Sequence, residues 1–81
     1  MRTTYDKEIA EILVFRTNLE QDEQLQGVRP HLDAHPAVQR WNVDRQDIDH
    51  VLRVVVLRGT LSEDIVRLVT AAGYQCEELP D

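Results

Sequence analysis

A single cysteine in 81 residues, Cys76, leaves no partner for an internal disulfide, so no covalent staple holds this chain. Aromatic residues make up only 5%, and glycine and proline number three each, too few for a glycine-rich phosphate loop or a low-complexity linker. Positive charge is also scarce. Nine Lys and Arg stand against fifteen Asp and Glu, for a formal charge of -6, which argues against nucleic acid and anionic membrane as partners, since both need clustered cations. No apolar run approaches the ~18 residues of a membrane span and no charged-then-apolar leader begins the chain, so the expectation is a soluble, cytoplasmic protein. What is present is 42% hydrophobic content, which suits one domain just above the ~70–80 residues at which a core becomes hard to sustain without staples.

Residues 1–8, MRTTYDKE, read as a polar leader, and residues 9–81 as the domain. EILVFRT, residues 11–17, is a strand with Leu13, Phe15 and Thr17 on one face and Ile12, Val14 and Arg16 on the other. A loop over residues 18–21 leads to a helix with Leu25, Val28 and Leu32 at i, i+3 and i+7, capped by Asp22 or Glu20. Gly27 and Pro30 predict a kink or interruption, and the helix is expected to stop near Ala34. VQRWNVD, residues 38–44, forms a second strand with Trp41 and Val43 on one side and Arg40 and Asn42 on the other. VLRVVVLR, residues 51–58, is the most β-prone run of all. A second helix starts at a Thr60–Glu63 capping box or a Ser62 cap, carries Ile65, Leu68, Val69 and Ala72 inward, and ends at Gly73. Residues 74–79 are a short last strand stopped by Pro80.

Strand, helix, strand, strand, helix, strand is the ferredoxin-like βαββαβ plan, an α+β sandwich with two helices on one face of a four-stranded antiparallel sheet. The first and third strands are central in that plan, and these are the two that are apolar on both sides. The stretch TNLEQDEQLQGVRPHLD, residues 17–33, resembles the loop and first helix of the heavy-metal-associated domains, the family of the soluble copper chaperones. Leu19 at the loop methionine, the spacing to the first helix, the VQRWNVD strand and the closing LVTAAGY extend the resemblance over roughly residues 9–79. In that family a Cys-x-x-Cys pair opens the first helix; here those positions are Gln21 and Gln24. Copper(I) selects thiolate or thioether ligands, and glutamine amides supply only hard, weak oxygen donors. The resemblance therefore implies a metal-carrier scaffold without the carrier's ligands.

Other constellations are weaker. Cys76 suits a small inward-facing residue on the last strand, or a thiol shared between two molecules. His31 and His35 are spaced i, i+4 but lack a third ligand. Asp44, Asp47, Asp49 and His50 fit turn chemistry and lack the calcium-loop pattern. No catalytic arrangement or cofactor motif is evident. The expected function is a non-enzymatic binding module, with Leu19, Glu20, Gln21, Asp22, Gln24 and Tyr74 as one contact end. The open sheet face, through Ile12, Val14, Val55 and Leu57, offers a second surface for a protein partner or for self-association. The alternative is a copper or zinc carrier that uses Cys76 or the histidines.

Overall fold

The computed structural model describes residues 10–80, so the leader expected over residues 1–8 lies outside them. The elements run β1 (Ala10–Thr17), α1 (Asp22–Asp33), β2 (Val38–Asp44), β3 (Val51–Leu57), α2 (Ser62–Ala71) and β4 (Cys76–Glu78). The strands form one antiparallel sheet in the order β2-β3-β1-β4, with β3 and β1 at its centre. This is the ferredoxin-like arrangement expected from the order of elements.

Inward residues of each strand meet the apolar stripes of both helices. Phe15, Leu52, Val54 and Val56 from the sheet join Val28, Leu32, Ile65 and Val69 from the helices, all fully buried. The pairing β1–β3 sets Ile12 opposite Val55 and Leu13 opposite Val54, so each strand keeps its two faces in register.

Three local details differ from expectation. Helix α1 runs uninterrupted through Pro30 to Asp33. Burying Leu32 and Val28, each worth about 1.5–3 kcal/mol, outweighs the ~3 kcal/mol that an interior proline costs. Helix α2 takes Leu61 as its N-cap, without a side-chain cap. The hydroxyls expected to cap it are used elsewhere: Thr60 Oγ1 donates to the Leu57 carbonyl, and Ser62 Oγ to Glu78 Oε1. Strand β4 is shorter than residues 74–79, because the Tyr74 N–H still donates to the Val69 carbonyl at the end of α2, with Gly73 at φ +100 between them.

Strand β2 carries a bulge that simple alternation does not foresee. Val38 lies opposite Val56 and Arg40 opposite Val55, leaving Gln39 as the extra residue. The bulge lets Val38, Trp41 and Val43 all pack on the core although their spacing breaks the period of two. Trp41 Nε1 then donates to Asp33 Oδ1 at 2.9 Å, and the Arg29 guanidinium lies 5.2 Å from the centre of the indole ring. Strand β2 is thereby fastened to the end of α1.

Candidate functional site

The β1–α1 loop, the β2–β3 connection and the segment after α2 all emerge at one end of the sandwich. Thr17 is the knot that joins them. Its N–H donates to the Asp49 carbonyl and its Oγ1 to the His50 carbonyl at 2.6 Å, while the same Oγ1 accepts the Leu19 N–H. Buried to 6% exposure, this hydroxyl satisfies backbone groups that the turn from strand to loop would otherwise strand. Asn18 Oδ1 accepts the Gln75 N–H, which ties the loop to the approach to β4. Arg45 Nη1 donates to Asp22 Oδ1 at 2.6 Å and to the Glu20 carbonyl at 3.4 Å.

Helix α1 begins at the N-cap Gln21, not at the expected Asp22 or Glu20. Asp22 and Glu23 fall in the first turn, where they favour the positive helix end. The decisive side chain is Gln24. Its Oε1 accepts the N–H groups of both Glu20 and Gln21, each at 2.8 Å, in the manner of the third residue of a capping box. Gln24 is thus committed to holding the loop closed. Gln21, the N-cap, is exposed.

Leu19, expected as a contact residue, is instead completely buried in the core. A leucine with no exposed surface anchors the loop and offers nothing to a partner. Tyr74 is half-buried against the core. Its hydroxyl approaches α1 so closely that a Cβ on Gly27 would stand 2.6 Å from it, which explains a glycine in mid-helix. The exposed members of this end are Glu20, Gln21, Asp22 and Glu23, with Arg45, Gln46 and Asp47 beside them. Sequence reasoning passed over Thr17, Asn18 and Arg45. A threonine and an asparagine at a strand end signal side-chain bonding to the backbone, but the Arg45–Asp22 pair depends on the topology alone.

This donor set does not fit copper(I). Gln21 and Gln24 supply amides, one of them occupied, and no cluster of three or more His, Cys, Asp and Glu side chains among the described residues is arranged to hold a metal ion. Cys76 lies opposite Thr17 and packs on the core, and burial pushes its thiol up to about 12. It is therefore protonated at neutral pH, whereas the thiolate is the ligand. His35 follows the C-cap Ala34, and its Nδ1 accepts the Ala37 N–H. The two histidines accordingly do not share a helix face, and both belong to the opposite end of the molecule. The turn residues behave as turns: Asp44 and Asp47 accept the N–H groups of Gln46 and Asp49, and His50 takes φ +45.

The open sheet face is less apolar than its sequence suggests. Ile12 and Leu57 are exposed, but Val14 is half-buried and Val55 only 7% exposed, although among the described residues both helices lie on the other face.

No family model matches the sequence, and no curated protein matches it. Solved structures do. The first domain of the human copper chaperone for SOD1, in its copper(I)-loaded form, is similar at 21% identity and a TM-score of 0.68, over 83% of this chain and 89% of that one. The yeast copper transporter domain Ccc2a is similar at 14% identity and a TM-score of 0.71, over 86% and 96%. A putative copper-ion-binding protein from Bacillus anthracis is similar at 14% identity and a TM-score of 0.70, over 88% and 100%. The chain has the fold of the heavy-metal-associated domains. No helix among the described residues is long and apolar enough to cross a membrane.

Proposed function

We propose that this chain is a non-enzymatic protein-binding module on the heavy-metal-associated fold, and that its loop end meets a partner with no metal ion between them. The observation that carries this reading is Gln24. By accepting the Glu20 and Gln21 N–H groups it holds the loop in one shape from within, so the rim of Glu20, Gln21, Asp22 and Glu23 is presented without a bound ion. One of the similar structures is a complex of Atx1, copper(I) and Ccc2a, which supports this fold as one that meets protein partners. The carboxylates on the rim suit a partner with a basic surface. Leu19 and Tyr74 act from beneath, as supports of the loop.

The test is charge reversal on the rim, at Glu20, whose carboxylate lies 3.9 Å from His50 Nε2, and at the exposed Glu23. With the protein as bait, Glu20→Lys combined with Glu23→Lys is expected to lose the bound partner while the dispersed amide spectrum of the fold persists. Equal retention of the same partner by both proteins would refute the loop end as the contact. A copper or zinc carrier that used Cys76 or the histidines has less support, because the thiol is held protonated and the histidines stand apart from it. Uptake of one copper(I) per chain by the native protein, lost in Cys76→Ser, would favour that reading.

A further inference from the structure

The connection between β2 and β3 is fastened at both ends and carries an exposed isoleucine between them. On the β2 side, the hydrogen bonds of Arg45 to Asp22 Oδ1 and to the Glu20 carbonyl bind it to the start of α1. On the β3 side, the Thr17 N–H and Oγ1 hold the carbonyls of Asp49 and His50, and Arg16 Nε lies 3.3 Å from Asp49 Oδ1, which binds it to β1. The apex is closed on itself: Asp47 Oδ1 accepts the Asp49 N–H at 2.8 Å, and the Asp47 carbonyl accepts the His50 N–H at 2.9 Å. Ile48 stands second in this four-residue turn and is 88% exposed, against 60% for Leu61 and 51% for Ile12. The turn draws on its aspartates and has no need of an isoleucine. An exposed apolar residue is ordinary by itself. Ile48 differs in having a fixed backbone beneath it and carboxylates beside it, from the exposed Asp47 and from Glu20, whose Oε2 lies 3.9 Å from His50 Nε2.

We infer that Ile48 is the apolar anchor of the loop end, and that the partner presents to it the apolar stripe of a basic amphipathic helix. The inference rests on the loop end being a contact surface and adds what must meet it. A single protruding side chain is enclosed by about four others, and leucines at i, i+3, i+4 and i+7 of one helix form such a hole. Lysines or arginines along the borders of that stripe then meet the carboxylates of Asp47 and Glu20. Because hydrogen bonds already hold the turn, contact does not have to order it. A second copy of this chain is a poor occupant, since both of its helices turn their apolar stripes to the core. An anionic membrane is repelled by the same carboxylates.

The experiment uses the isotopically labelled full chain and an N-acetylated, C-amidated peptide, Leu-Lys-Lys-Leu-Leu-Lys-Lys-Leu-Leu, with its glutamate counterpart, Leu-Glu-Glu-Leu-Leu-Glu-Glu-Leu-Leu. Saturable amide shifts centred on Ile48 and reaching Glu20, weakened by salt, are expected from the lysine peptide alone. Ile48→Ala is expected to reduce the affinity by about tenfold, and Ile48→Leu to keep it. Both variants should unfold at the temperature of the native protein, because so exposed a side chain adds little to the core. Undiminished affinity in Ile48→Ala, with shifts still at Glu20 to Gln24, would overturn the anchor and leave the loop end standing as the contact. Shifts centred on Ile12 and Leu57 would overturn both readings. Equal binding of the glutamate peptide would overturn the choice of a basic partner, and with it the proposal.

Discussion

Gln24 does the work of a cap at the start of α1. Replacing it with alanine leaves the Glu20 and Gln21 N–H groups without their acceptor, a loss of the kind that costs about 0.5–2 kcal/mol. Urea denaturation of Gln24→Ala should show this loss, and native-state hydrogen exchange should show faster exchange at those two amides and little change in the core. Cys76 sets a second test. Its thiol in the fold lies near 12, above the ordinary 9.0, because burial disfavours the thiolate. The unfolded chain therefore releases this proton first as the pH rises, and the contribution to stability is complete below pH 9 and lost between about 9 and 12. Cys76→Ala should flatten that part of the stability profile relative to the native protein. A thiol reagent should react slowly at pH 8 with the folded protein and readily with the unfolded one. Single residues of this end were only partly legible in the sequence. The start of α1 after a polar loop is legible in the spacing of Leu25, Val28 and Leu32, but the use of Gln24 as an acceptor, and the burial of Leu19, depend on the path of the loop.

At the scale of the elements, periodicity carried most of the information. The Trp41 and Val43 face of β2 and the inward faces of β1 and β3 follow from alternation, and the buried stripes of both helices follow from their three- and four-residue spacings. The bulge at Gln39 was not legible, because it appears only when Val38 and Trp41 must both reach the core. Gly27 looked like a weak point of α1 for the same reason, since its cause is a tyrosine that arrives from the end of α2. Gly27→Ala should destabilise the protein by about 1–3 kcal/mol, because the new Cβ meets the Tyr74 hydroxyl at 2.6 Å. With the hydroxyl removed, the nearest ring atoms lie at 3.4 Å, close but tolerable. In a Tyr74→Phe background the same substitution should therefore reverse sign and gain up to ~1 kcal/mol, the helix preference of alanine over glycine. Thermal unfolding of the four proteins in this cycle measures the reversal. Equal losses in both backgrounds would mean that the hydroxyl is not the obstacle.

As a whole molecule the chain combines the heavy-metal-associated fold with exposed charge at one end and on the open sheet face. Its acidic rim lies at one end, its arginines with Ile12 and Leu57 on the open face, and its single thiol is withdrawn against the core. The order and spacing of the elements made the fold readable from sequence because they depend on pattern. The proposed contact end depends on which loops the topology brings together, and Arg45 reaches Asp22 only through it. The central claim is that the loop end is complete without a metal ion. The most direct measurement is a copper(I) titration of the reduced native protein against a competing chelator, with stoichiometry read by native mass spectrometry and the Glu20 to Gln24 amides followed in parallel. The account predicts that the chelator keeps the copper and that these amides do not move. Tight binding of one copper per chain or per dimer, with shifts at those amides, would contradict it.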